Sequence, residues 1–265
     1  MTADSSARQP AVAGAFYPGN AKQLQQALFS FLTNAAPSSS PKGKEALHAI
    51  IVPHAGYIYS GLVAAAAYRL VRESGSQFSR AIILGPSHFV PVQGGAFDDH
   101  PFWRTPLGVV PVENFSSSRI TLDRAAHARE HSLEVQVPFI QAVLPLAAIC
   151  PIALGVSGEA GRQGTLRDDI MSQLDGKTLL VVSSDLSHYH PYADAVAIDH
   201  GTIGRILSLE EIDEDEACGA AGIDILIAIA RKKNWKPVLL DYKNSGDTAG
   251  DKDAVVGYAA VAFVS

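Results

Sequence analysis

Three short apolar runs in this chain end alike, each passing directly into a loop that carries a histidine. HAIIV at 48–52 leads into Pro53-His54-Ala55-Gly56-Tyr57, AIIL at 81–84 into Gly85-Pro86-Ser87-His88, and TLLVV at 178–182 into Ser183-Ser184-Asp185-Leu186-Ser187-His188. A strand with one face in water alternates apolar and polar residues, whereas a strand that is apolar throughout is covered on both faces. Further runs at 147–154, 237–241 and 254–264 read as strands of the same sheet. Between the runs, residues 21–32, 62–71, 163–174, 194–207 and 223–233 have helical spacing, and NAAPSSSP at 34–41 reads as a loop. A helix is also expected over 130–144, bent or restarted near Pro138, which lacks the N–H an interior position needs. This alternation predicts an α/β fold, a largely parallel central sheet with helices on both faces. No internal repeat or composition break divides it, so residues 1–265 read as a single domain.

Composition then narrows the function. With 21 basic against 27 acidic residues and a net charge of −6, the chain repels a phosphate backbone, and nucleic acid is not expected as a partner. No run of 18 apolar residues and no basic, apolar leader is evident, which points to a cytoplasmic protein without a membrane partner. Cys150 and Cys218 form no CxxC pair. The nine histidines are the pointed feature.

In open parallel sheets, ligands bind where loops leave the carboxyl ends of the strands. The three strand-end histidines, His54, His88 and His188, are therefore expected to converge on one site, and neutral imidazole with a carboxylate is a common donor set for transition metals. Asp185, three residues before His188, is placed either to orient that ring, to join it in the site or to cap a helix. A glycine-rich acidic loop, Ser245-Gly246-Asp247-Thr248-Ala249-Gly250-Asp251, can approach a ligand closely. The segment His127-Ala128-Arg129-Glu130-His131 matches H-x-x-E-H, the inverted zincin pattern, so a metallopeptidase is a minor alternative. It does not explain the strand-end histidines, and His127 is expected to face the surface without metal. Glu130, His131 and Glu134 open the expected helix and are placed to line the pocket. Gly85-Pro86-Ser87-His88-Phe89 lacks the final glycine of a nucleophile elbow.

The motifs PHAGYIYSG, ILGPSHFVP, FWRTPLG, EHSLEVQVPF, VVSSDLSHY and VVGYAAVAF together resemble the Memo family, the AmmeMemoRadiSam system protein B group. The resemblance implies a fold similar to class III (LigB-type) nonhaem-iron extradiol dioxygenases, with a metal pocket at the strand ends. It further implies that His54 and His88 are metal ligands, that Asp185 lies in the pocket, and that His188 stands at the position of the dioxygenases' catalytic base. Eukaryotic members are described as binding copper or iron and influencing redox state and phosphotyrosine signalling, while prokaryotic members have no settled activity. Animal members supply a third ligand from a cysteine, and gap-free counting back from Tyr258 places Thr248 there. A carboxylate, Asp247 first with Asp251 behind it, is the expected replacement. The resulting expectation is a divalent metal, iron before copper or zinc, held by His54, His88 and Asp247, with Asp185 and His188 acting on substrate. The function is then a redox enzyme acting on a small molecule. The alternative is a non-catalytic module that binds a peptide or anionic ligand for a partner protein, AmmeMemoRadiSam system proteins among the partners.

Overall fold

The computed structural model of the chain describes residues 6–35, 45–155 and 164–265, so the loop expected over 34–41 falls largely outside them. The elements run β1 (Ala7–Arg8), α1 (Ala21–Asn34), β2 (Leu47–Val52), α2 (Tyr57–Glu73), β3 (Arg80–Pro86), β4 (Gly95–Phe97), β5 (Phe102–Thr105), β6 (Gly108–Pro111), β7 (Ile120–Leu122) and α3 (Arg124–Ala128). They continue with α4 (Val137–Val143), β8 (Ala148–Leu154), α5 (Gly164–Ser172), β9 (Thr178–Ser183), β10 (His188–His190), α6 (Tyr192–Leu207), α7 (Ala220–Lys233), β11 (Lys236–Asn244) and β12 (Val255–Val264). The main sheet has the order β10-β12-β2-β9-β3-β8-β4-β7, with β11 along the other edge of β12. A small second sheet, β1-β5-β6, includes the hairpin around Pro106-Leu107.

The four central strands, β2-β9-β3-β8, are parallel. Every residue of β8 and β9 is buried, which is why these strands read as unbroken apolar runs. The flanks are antiparallel: β12 against β2 and β11, β4 against β8. The sheet is thus parallel at its centre and mixed overall. The connection from β11 to β12 holds no crossover helix, and without one two neighbouring strands run antiparallel.

Successive strand residues face opposite sides. Ile50, Val52, Ile83 and Val181 pack beneath α1, α2 and α4 with Leu24, Leu28, Val63, Tyr68 and Phe139. Ile51, Ile82, Leu84, Leu180 and Val182 pack beneath α5, α6 and α7 with Leu166, Ile170, Ile203, Ile206, Ile223 and Ile227. The two apolar layers lock the central strands, and so fix the directions in which their ends emerge.

The segment at 130–144 differs from the sequence reading. Helix α4 begins only at Val137, preceded by a single 3-10 turn over Glu134–Gln136, and Pro138 lies in its first turn, where a missing N–H costs nothing. Residues 130–133 are therefore loop, and His127 lies on the separate short helix α3.

Candidate functional site

Strands β2, β9 and β3 are neighbours, about 4.8 Å apart, so residues leaving their carboxyl ends fall within roughly 10 Å of one another. One cavity of about 610 Å³ lies there, and His54, His88, His131, Asp185 and His188 all line it, with Phe16, Tyr189, Asp251 and Tyr258. The ring centroids of His54 and His88 are 5.3 Å apart, those of His54 and His131 5.5 Å, and those of His88 and His131 4.7 Å, nearly stacked.

Hydrogen bonding fixes the tautomer of His54. Ser183 Oγ lies 2.6 Å from the Ser132 carbonyl, to which it donates its only proton, and it accepts from Gln136 Nε2 at 2.8 Å. The amide is oriented in turn, because Gln136 Nε2 also donates to the Pro53 carbonyl and its Oε1 accepts from Tyr68. Against His54 Nδ1, at 3.1 Å, Ser183 can then only accept, so Nδ1 carries the proton and Nε2 presents its lone pair as an acceptor. Burial, with the nearby His88, pushes the His54 pKa down to about 3, which keeps the ring neutral.

His88 is set the same way by a carboxylate. Glu130 Oε2 accepts the His88 amide N–H at 2.6 Å and Oε1 accepts from its ring Nδ1 at 2.9 Å, leaving His88 Nε2 free. Glu130 Oε1 also accepts the amide N–H groups of His131 and Ser132. Burial alone would raise the Glu130 pKa, but the His88 ring and the Ser132 amide outweigh it and hold it at about 2. The backbone amides of this loop thus bind Glu130 itself. His131, its pKa lowered to about 4 by burial and by His54, stacks on His88 and touches Phe16.

Asp185 caps no helix, since β9 is followed by the short strand β10. Its Oδ1 accepts the His54 amide N–H at 2.7 Å, tying the β2 and β9 loops together. Burial raises its pKa, while the Ala55 amide and the charges of His188 and His131 oppose that rise. His188 reaches the cavity from the side. The first part of β12 projects past β2 and pairs with β10, where a bulge and a left-handed Tyr189 (φ +61) break the register. Buried Asp199 accepts the Ser187 amide at 3.0 Å and lies so close to Gly257 that an added Cβ would sit 2.1 Å from its Oδ2.

Other expected residues are placed elsewhere. Asp247 does not line the cavity: its Oδ2 accepts the Asn244 amide and its Oδ1 the Tyr192 hydroxyl, closing a capping box within its own loop. Thr248 donates to the Ser245 carbonyl, whereas Asp251 does reach the cavity rim. Glu134 is buried and accepts from Arg8 at 2.7 Å, from Tyr17 at 2.7 Å and from the amides of Ala11 and Val12, so it anchors the N-terminal arm instead of lining the cavity. Against expectation, His127 is fully buried, packed on Trp103, and donates Nε2–H to the Ala96 carbonyl. It belongs to no metal-competent group among the described residues, and so shares none with His131.

Cys218 was not anticipated. It precedes α7, and its Sγ lies 3.3 Å from His54 Nε2. One ligating atom each of His54, His88 and Cys218 lies within 4.8 Å of the others, as do those of His88, Glu130 and His131, so either group could hold a metal ion. Burial, then Asp185, pushes the free thiol pKa up to about 12. The one sequence signal was the small-residue run Gly219-Ala220-Ala221-Gly222 behind it, which lets a helix start press against the β9 loop.

Fold and site define an α/β protein with a histidine-rich, metal-competent cavity at the ends of parallel strands. The sequence matches the Memo-like protein family over residues 8–262, and the chain belongs to that family. A MEMO1 family protein of Sulfurisphaera tokodaii is 37% identical, covering 97% of this chain and 99% of the relative. Those of Methanopyrus kandleri and Caldivirga maquilingensis are 34% and 36% identical, each covering 97% of this chain and 98% of the relative. A crystal structure of an uncharacterized Escherichia coli K12 protein is 9% identical and covers 82% of this chain and 99% of that one, with a TM-score of 0.49. No helix among the described residues is long and apolar enough to cross a membrane.

Proposed function

We propose that the chain is a metal-dependent oxidoreductase acting on a small molecule bound in the strand-end cavity. The supporting observation is the matched pair of imidazoles: His54 and His88 each commit Nδ1–H to a protein acceptor and present the Nε2 lone pair, that of His54 toward Cys218 Sγ, the outer-sphere arrangement found around metal-ligating histidines. A divalent ion there, iron first and copper or zinc after it, supplies a Lewis-acidic centre that with iron or copper also exchanges electrons. The chain's own residues do the rest. Ser183 and Glu130 hold the two rings in register, Asp185 fixes the His54 loop, and His188 on the side wall takes a proton from a substrate hydroxyl and returns it to product. A cytoplasmic setting and AmmeMemoRadiSam system proteins as partners belong to this reading.

A second reading, non-catalytic capture of a peptide or anion for a partner protein, has its own support: Phe89 and Tyr189 are exposed, and the Arg129 guanidinium sits 5.1 Å over the Phe89 ring. The test is anaerobic purification with metal analysis, then O₂ consumption by iron-loaded protein over a panel of catechols and small phenols. His54→Ala and His88→Ala should each lose metal and turnover, while His200→Ala, on the exposed face of α6, keeps both. Equal metal content in all three variants removes the ligand assignment. A metal-replete wild type that is silent across the panel favours the binding module.

A further inference from the structure

We propose that Cys218 is the third protein donor of the His54–His88 site, so that this chain holds its metal in a two-histidine, one-cysteine set whose sulfur comes from the start of α7 and not from the loop before β12. The inference rests on the metal-binding reading above and deepens it. Three independent observations support it. First, Nε2 of His54 accepts from Cys218 Sγ, 3.3 Å away, and a ligating atom of His88 lies within 4.8 Å of both, close enough for one ion to replace that hydrogen bond and draw the three together. Second, the nearby carboxylates have protein partners: Asp247 caps its own loop, Asp185 Oδ1 holds the His54 amide, Glu130 holds His88, and Asp251 at the rim accepts the Asp253 amide and joins no metal-competent group among the described residues. Third, two local features favour an anionic sulfur against the cost of its burial. The Asp185 amide N–H donates to Sγ at 3.3 Å, and Cys218 stands immediately before the N-terminus of a 14-residue helix, whose partial positive charge favours an anion.

On binding, the Sγ–H bond is replaced by an Sγ–metal bond and the proton leaves to solvent; no electron is transferred. Cys218 and His88 also line a second cavity, of about 220 Å³. A thiolate with two imidazoles selects zinc, copper or iron over calcium, magnesium or manganese.

The experiment uses Co²⁺ alone as the probe of the full chain. Wild type should take up one Co²⁺ with a sulfur-to-cobalt charge-transfer band in the near ultraviolet. Cys218→Ser should lose the band and bind Co²⁺ weaker by at least about a hundredfold, more than the loss of an outer-shell partner costs. Cys150→Ser and Asp247→Asn should retain both band and affinity. Because Cys218→Ser could fold poorly, X-ray absorption of the zinc-loaded wild type gives a reading without any variant: one sulfur scatterer at about 2.3 Å. Co²⁺ bound without the band, a band that survives in Cys218→Ser, or a zinc shell of nitrogen and oxygen alone overturns the cysteine assignment and leaves the metal site standing. Absence of Co²⁺ or Zn²⁺ binding to wild type overturns both.

Discussion

Glu130 grips His88 twice, accepting the backbone N–H with Oε2 at 2.6 Å and the ring Nδ1–H with Oε1 at 2.9 Å. One carboxylate thereby sets the position, the tautomer and the orientation of a ring at the end of a different strand, 42 residues away in sequence. Glu130→Gln keeps the size but gives up the charge and one acceptor. Metal affinity should fall by about 10- to 100-fold while His88 is still present, the usual cost of an outer-shell loss. Competition titration with a chelator measures it, and unchanged affinity would show that His88 is not a ligand.

Much of this site was legible because the apolar runs were. A strand buried on both faces must stop where its apolar residues stop, so the polar residues after positions 52, 84 and 182 had to emerge together once the strands were parallel neighbours. Three contributions were not legible, each for a physical reason. Cys218 lies 164 residues from His54 and follows no apolar run, so nothing local marked it. Glu134 was placed in the pocket on helical spacing from Glu130, but residues 130–133 form a loop closed around the Glu130 carboxylate, and the spacing lost its meaning. His127 and His131 read as one turn of a helix; α3 ends at Ala128, and His127 donates to the Ala96 carbonyl while His131 lines the cavity.

The role of Glu134 predicts a different phenotype from that of Glu130. Its partner Arg8 is 4% exposed, and removing one member of a buried pair costs about 3–5 kcal/mol. Glu134→Gln should lower denaturant stability on that scale, yet the folded fraction should bind metal as wild type does. Metal loss without loss of stability would return Glu134 to the cavity.

Gly219 is expected to be irreplaceable for steric reasons. A Cβ there would lie 2.6 Å from Ser184 Cβ and 2.7 Å from the Ser183 carbonyl, so Gly219→Ala must push the start of α7, and Cys218 with it, away from β9. A cost of about 1–3 kcal/mol is expected from such overpacking. The sulfur-to-cobalt band should weaken in parallel. Gly201→Ala, inside α6 with open space around the new methyl, should instead gain about 0.5–1 kcal/mol. Equal melting behaviour of the two variants would contradict the packing argument.

Away from the site, Asp224 gives the chain a specific pH dependence. Burial, reinforced by Glu211, raises its pKa from 3.8 to about 6, although it accepts the Ile212 amide N–H. A raised acid binds its proton more tightly folded than unfolded, so its stabilising contribution is complete below pH 3.8 and lost as pH rises through about 6. Asp224→Asn retains the acceptor and cannot ionise. It should melt higher than wild type at pH 8, with the difference closing as pH falls below 4. A constant difference across that range would mean that Asp224 ionises freely.

His188 separates an enzyme from a binding module. Its ring lines the same cavity as His54 and His88 and belongs to none of the metal-competent groups among the described residues, so the acid/base role proposed for it can be tested apart from metal binding. His188→Gln should leave metal content close to wild type, because glutamine takes nothing from the His54–His88–Cys218 grouping, but abolish O₂ consumption, because an amide can hydrogen-bond and cannot take up and return a proton. In a binding module the same change would only alter ligand affinity, by about 1–3 kcal/mol for a lost hydrogen bond, with no turnover in either protein. Turnover that persists in His188→Gln would rule out the acid/base role. Metal lost together with activity would instead make His188 a ligand.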